Sequence, residues 1–306
     1  MRDRPPADLA ASVHQRLLNL SRKTGVDPNR IWTRYAAERL LYRLACSEFR
    51  DLFVLKGAML FLVWTGHPYR PTYDLDLAAS RQIAESRIAE IFRTICDIPA
   101  EPDGLVFAAS SVRVEPIGET QEYAGERVTL RAFLGRGRIS LQIDIGLGDA
   151  ITPSAEEITF PALLDFPAPR LRACPRETVV AEKLHAIVLL GMANSRMKDY
   201  CDLFVLVRDF GFNGTSLARA LKATFTRRRT LVPTSLPLGL SEEFASDRTK
   251  TVQWTAFLRR SNISMADLPE VVGGIRSFLK PVLEATAAGR GFRSEWPAGG
   301  PWRSSR

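Results

Sequence analysis

The chain has 306 residues, 45% of them hydrophobic and 25% charged, with a formal net charge of +8. That is ordinary globular composition, which excludes a disordered or fibrous chain, and the length suits two domains or one large domain with an appended bundle. No apolar run approaches the about 18 to 20 residues of a membrane span, and Met-Arg-Asp-Arg-Pro-Pro at the start has no apolar signal core behind it, so no membrane association and a cytoplasmic location are expected.

The first fifty residues predict two helices. Val13, Leu17, Leu18 and Leu20 keep a helical period that breaks over Ser21 to Gly25. Asp27-Pro28 then offers an N-cap followed by a first-turn proline, and Ile31, Tyr35, Leu40, Leu41 and Leu44 continue a second helix. Leu52 to Leu55 predicts a short buried strand ending at Lys56-Gly57, with a helix from Ala58 to Trp64 directly behind it. Thr65 to Tyr73 reads as a loop, Asp74 to Ala79 as a second strand and Gln82 to Cys96 as a helix.

Period-two alternation predicts half-buried strands through residues 105 to 147: Val112 and Val114, Val128 and Leu130, then Ile139, Leu141, Ile143 and Ile145. Gly135-Arg-Gly-Arg138 makes a hairpin turn. Pro153, Pro161, Pro167, Pro169 and Pro175 mark an irregular domain junction. Helices are expected over 177–192, 198–209, 216–227, 250–259 and 266–288, followed by a flexible tail over 289–306. The resulting organisation is an N-terminal helical segment over 1–50, a core over 51–152 and a helical C-terminal domain over 153–288. Cys46, Cys96, Cys174 and Cys201 have neither zinc nor disulfide spacing and read as reduced, mostly buried thiols. The 42 basic against 34 acidic residues permit a polyanionic partner such as nucleic acid.

Chemistry concentrates in Arg70-Pro-Thr-Tyr-Asp-Leu-Asp-Leu77. Asp74 and Asp76 stand two apart in a strand, so both carboxylates face one way. Two hard anions on one side suit a hard divalent cation, Mg²⁺, completed by substrate phosphates. A strand end carrying two solvated aspartates is the plainer reading of the pair alone. Gly57 opens a strand–glycine–helix turn where backbone amides could approach a triphosphate, and Thr72 places a hydroxyl near the same carboxylates. Asp144, on the polar face of a later strand, reads equally as a third metal ligand, brought beside the pair by a neighbouring strand, or as an exposed aspartate. In Glu177 to His185 the apolar stripe leaves Lys183 free for phosphate. Arg196-Met-Lys-Asp-Tyr-Cys-Asp-Leu203 puts Asp199 and Asp202 on one helical face. His14, His67 and His185 have no metal-ligand spacing.

Phe53-Val-Leu-Lys-Gly57, Arg70-x-Thr-x-Asp-Leu-Asp76, Glu182-Lys-Leu-His185 and Arg196-Met-Lys-Asp-Tyr-Cys-Asp-Leu203, in that order, resemble the AbiEii/Men-type nucleotidyltransferase toxins over about residues 30 to 260. The resemblance implies an α+β fold: a DNA polymerase β-like nucleotidyltransferase core, a mixed sheet flanked by helices, with a helical C-terminal domain. It implies Mg²⁺-dependent transfer of a nucleoside monophosphate from an NTP to RNA, here the tRNA 3′ end, and a cognate antitoxin protein. On matching positions it assigns Asp74 and Asp76 to metal, Lys183 to the triphosphate and Asp199 to the catalytic set. Lys56, Gly57 and Thr72 are the expected nucleotide-binding residues, and Asp144 joins the metal set through strand logic. One departure stands out: where the family commonly has Lys-Gly-Gly and then a small hydroxyl residue, this chain has Lys56-Gly57-Ala58-Met59, without the side-chain hydroxyl.

Other classes use parts of this pattern. A nucleotidyltransferase could act on a protein or a small molecule instead of RNA. A haloacid-dehalogenase-type phosphatase would want Thr or Val where Ala78 stands, and an earlier place in the chain. A glycosyltransferase would leave Lys183 and Lys198-Asp199 without a purpose. A silent RNA-binding module would not need Asp74, Asp76, Lys183 and Asp199 intact.

Overall fold

The computed structural model describes residues 8–67, 69–72, 74–79, 83–117 and 125–304. Pro68 and Tyr73 of the expected loop, Gln82 at the expected helix start, residues 118–124 of the strand-rich region and residues 305–306 of the expected tail lie outside them. The chain divides into two compact units, 1–149 with 156–173, and 150–155 with 174–306.

In the first unit, α1 (Leu9–Thr24) is capped by Asp8, whose carboxylate accepts from Ala11 N, and runs to Gly25 in the left-handed region. The helix therefore continues through Ser21 to Thr24, where a break was expected. Helix α2 (Pro28–Ala45) begins as expected, with Asp27 accepting from the Asn29 and Arg30 amides ahead of Pro28. Then come β1 (Phe53–Lys56), a 3₁₀ turn over Gly57–Met59, and α3 (Leu60–Thr65). Strand β2 (Leu75–Ala79) precedes α4 (Glu85–Asp97) and three long strands, β3 (Leu105–Pro116), β4 (Gly125–Leu134) and β5 (Gly137–Leu147). Two short strands, β6 (Glu156–Thr159) and β7 (Arg170–Ala173), complete a seven-stranded mixed sheet of order β3-β4-β5-β2-β1-β7-β6. Strand pairs β2–β5 and β1–β7 are parallel and the others antiparallel.

One face of the sheet carries Phe53, Leu55, Leu75, Leu77, Val128, Ile143 and Ile145, all buried. Helices α2 and α4 cover it, with Phe53 edge-on to Phe92 of α4 at 5.8 Å. Period two then sends the residues between them, Lys56, Asp76, Arg127 and Asp144, to the opposite face.

Two expectations about domains are corrected here. Residues 1–50 are not a separate segment, because α1 and α2 pack onto the sheet unit. The first unit does not end near 152 either: β7 pairs parallel to β1, with Leu55 opposite Ala173, and so holds residues 156–173 in this unit. The proline-rich segment between β6 and β7 is strapped to α2 by buried charges. Glu38 accepts from Leu163 N at 2.8 Å, and Arg39 Nη2 donates to the Pro167 carbonyl at 2.6 Å. Arg43 grips Asp103 at 2.7 Å, with Tyr35 donating to the Asp103 carbonyl at 2.7 Å.

In the second unit, α5 (Arg176–Leu190) and α6 (Met197–Asp209) lead to β8 (Phe212–Asn213) and α7 (Gly214–Arg227). Helices α8 (Glu242–Ser246), α9 (Arg248–Ser261) and α10 (Leu268–Ala287) follow. The expected flexible tail is ordered over 289–304: β9 (Ser294–Trp296) and β10 (Arg303–Ser304) form a three-stranded sheet with β8. Tryptophan is the reason. Trp296 Nε1 donates to the Val207 carbonyl and Trp302 Nε1 to the Phe278 carbonyl, each at 2.8 Å, while the Trp302 ring stacks on Phe278. Cys96, Cys174 and Cys201 are buried free thiols and Cys46 is an exposed one. Among the described residues no helix is long and apolar enough to cross a membrane.

Candidate active site

Strand register assembles a row of charges on the sheet face opposite α2 and α4. Lys56 of β1 stands across from Asp76 of β2, Asp76 across from Asp144 of β5, Asp144 across from Arg127 of β4, and Arg127 across from Glu115 of β3. Directly opposed residues share a face of the sheet on neighbouring strands. The structure thus sets Asp144 beside Asp76, as the strand reading required. Asp74 immediately precedes β2, two residues from Asp76, and both are partly accessible.

Gly57 has a reason beyond phosphate approach. Its φ is +73°, and a Cβ built there would run into the Asp76 carboxylate. Glycine both permits this backbone and leaves room for the aspartate. The helix expected directly behind it is a 3₁₀ turn followed by only six residues of α3, so little helix dipole gathers at this end.

Two residues missed in the sequence complete the row. Arg127 forks onto Asp144, Nε to Oδ1 and Nη2 to Oδ2, each at 2.8 Å. Hydrogen bonding to Asp144, and then the charges of Asp144, Asp74 and Glu115, raise the guanidinium pKa against the effect of burial. Asp149 binds Lys56 Nζ at 2.6 Å and sits where a side chain at Gly146 would stand. Lys56, expected at the nucleotide, is therefore engaged by a carboxylate. Thr72, expected at the nucleotide, donates weakly from Oγ1 to the Asp74 backbone carbonyl at 3.4 Å, which keeps its hydroxyl close to the start of β2. Among the described residues no three His, Cys, Asp or Glu side chains gather as a metal cage; both Asp144 oxygens are on Arg127.

A second constellation lies within the second unit. Lys183 of α5 donates to Asp199 at 2.9 Å and to Asp202 at 2.7 Å, both on α6, and Arg196 Nε donates to the other Asp199 oxygen at 2.7 Å. Asp199 and Asp202 are 1% and 2% exposed and the Lys183 side chain 13%. Burial pushes the Asp199 carboxyl up, but Lys183 and Arg196 outweigh it and hold it below the usual carboxylate range. Lys183, expected to stand free for phosphate, is instead paired with two buried carboxylates, its side chain still partly exposed. Asp199, expected in the catalytic set, lies beneath the lysine with both oxygens taken. The turn ahead of α6 is fixed by Asn194, whose side chain accepts from Arg196 N and whose carbonyl accepts from buried Lys250. His185, in the same motif, is buried between Thr230 and Arg228; desolvation and the Arg228 charge lower its pKa to about 4, so it is neutral.

A mixed sheet presenting paired carboxylates against a glycine turn defines a nucleotidyltransferase-type core. The family model described as "Nucleotidyl transferase AbiEii toxin, Type IV TA system" matches residues 39–272, and the chain belongs to that family of toxin–antitoxin nucleotidyltransferases. Two crystal structures of Helicobacter pylori proteins are similar. JHP933 has 17% identity and a TM-score of 0.47, covering 82% of this chain and 90% of its own. A protein described as a candidate nucleotidyltransferase has 17% identity and a TM-score of 0.45, covering 82% of this chain and 93% of its own. No curated protein sequence matches the chain significantly.

Proposed function

We propose that the chain transfers a nucleoside monophosphate from an NTP to an RNA acceptor, the tRNA 3′ end, releasing pyrophosphate and blocking translation in the cytoplasm unless its antitoxin intervenes. The observation that carries this reading is the side-by-side placement of Asp76 and Asp144 across β2 and β5, with Asp74 on the same stretch of chain.

Asp74, Asp76 and Asp144 offer only hard oxygen donors. That is the set a magnesium ion takes together with phosphate oxygens, so these residues would hold it. When bound, the ion would neutralise charge on the reacting phosphates and activate the attacking hydroxyl. Gly57 keeps the Asp76 carboxylate in place by leaving room for it. In the second unit Lys183 is assigned to phosphate charge on the strength of its motif. Asp199 and Asp202 act as its positioning residues, because they are buried beneath it. The RNA acceptor is supported by the family and by the net charge of +8, which favours a polyanion.

Purified protein with Mg²⁺, each labelled NTP in turn and total tRNA is expected to place label on the RNA 3′ end, and Asp74→Ala to abolish it. Incorporation indifferent to that substitution would refute the metal assignment. Label on protein or on a small molecule would refute the RNA acceptor and keep the transfer chemistry.

A further inference from the structure

We propose that Arg127 is a positioning residue that neutralises Asp144 by engaging both of its oxygens, an internal counter-ion that a divalent cation displaces. The inference rests on the metal reading above and adds a residue to it.

Asp144 stands between two neighbours of opposite sign, Asp76 on β2 and Arg127 on β4, each directly across from it in the sheet. Without a cation between them, Asp76 and Asp144 repel. Arg127 supplies compensation to Asp144, engaging both of its oxygens at 2.8 Å, while Gln142 reaches Oδ1 at 3.4 Å. The fork uses the planar geometry that arginine has and lysine lacks. The pair cannot drift, because the β4–β5 hairpin pairs Leu134 with Gly137 and every step back to Arg127 and Asp144 is in register.

Exposure shows that this contact is built to exchange. The Arg127 and Asp144 side chains are 39% and 22% exposed, so water screens the pair. The Lys183 cluster, whose aspartates are 1% and 2% exposed, has no such screening. A doubly charged ion arriving beside Asp76 offers Asp144 a stronger partner than a screened guanidinium. The released Arg127 would then be able to donate hydrogen bonds to phosphate oxygens of the bound nucleotide.

The test needs no turnover. Mn²⁺ binding is measured by the loss of its free electron-paramagnetic-resonance signal, without nucleotide, in the wild-type chain and in Arg127→Gln, Arg127→Lys, Asp144→Asn, Asp76→Asn and the double variant Arg127→Gln/Asp144→Asn. Arg127→Gln is expected to tighten Mn²⁺ about tenfold and Arg127→Lys part-way, and Arg127→Gln is expected to change nothing once Asp144 is Asn. Thermal melts check folding, and Arg127→Lys, which keeps the charge and the stem, carries the test if the glutamine variant unfolds. The same tightening in the Asp144→Asn background would reduce Arg127 to a diffuse charge and overturn the proposal. Unchanged or weaker binding in both arginine variants, with binding still lost in Asp76→Asn, would overturn it and leave the metal reading standing. Mn²⁺ binding indifferent to Asp76→Asn would remove the metal reading and this inference together.

Discussion

Gly57→Ala tests the geometry of the carboxylate row without touching a charge. Its cost has two separable parts. The backbone part follows from φ of +73°: placing an L side chain in the left-handed region costs about 1–2 kcal/mol. The packing part follows from the Asp76 carboxylate lying where the new methyl group must go, an overpacking cost of about 1–3 kcal/mol. Gly25 provides the control. It belongs to the same unit, has φ of +70° and has nothing within 4 Å of a built Cβ, so Gly25→Ala incurs only the backbone part. Urea unfolding of both variants, read on the transition that Gly25→Ala moves because the two units can melt separately, is expected to show Gly57→Ala as the more damaging by about 1–3 kcal/mol. The added substitution Asp76→Ala should recover most of that difference, since neighbouring changes that relieve one clash are not additive. Nucleotidyl transfer by Gly57→Ala should fall about 100-fold, the scale of a 1 Å misplacement at a reacting centre. Equal costs for the two glycines, or no recovery on removing the Asp76 carboxylate, would refute the reasoning.

Three further outcomes follow from buried groups. Lys183→Met removes the cation that Asp199 and Asp202, 1% and 2% exposed, share, and should cost about 3–5 kcal/mol, measured by thermal melting. Arg196→Met, at a side chain 51% exposed, should cost at most about 1 kcal/mol, and equal losses would refute the network. Burial raises Glu38 from 4.5 to about 7. A carboxyl whose folded pKa is raised contributes stability that is fully present below pH 4.5 and lost as pH rises through about 7. Glu38→Gln should flatten stability across that window, and an unchanged pH profile would show that Glu38 does not titrate there. Trp296→Ala should cost about 3–5 kcal/mol and free residues 289–304 to trypsin, whereas a mobile tail would lose nothing.

How much of this was legible depends on whether a residue's partner is set by local pattern or by topology. Alternation placed Asp144 on the polar face of its strand, and the hairpin turn at Gly135 even fixed its partner: pairing Leu134 with Gly137 and stepping back seven residues on one strand and forward seven on the other meets Arg127 and Asp144. The fork could have been counted out, and was missed because charged residues on an alternating strand read as solvated. Asp149 offered no such signal, since its contact with Lys56 depends on β2 lying between β1 and β5, a strand order that no local pattern specifies. The charges of α2 depend on topology in the same way. Glu38, Arg39 and Arg43 have the chemistry of a helix's wet side, but all three are buried: the segment between β6 and β7 takes the bonds of Glu38 and Arg39, and Asp103 takes that of Arg43. That covering segment was itself read as an irregular junction because of its prolines. Pro161, Pro167 and Pro169 sit between β6 and β7, where they interrupt no ladder, and Pro169 still accepts from Phe160 N at 2.8 Å. Proline there marks the ends of the strands, and Arg39 of α2 supplies the donor that the Pro167 carbonyl needs where the segment is laid across the helix.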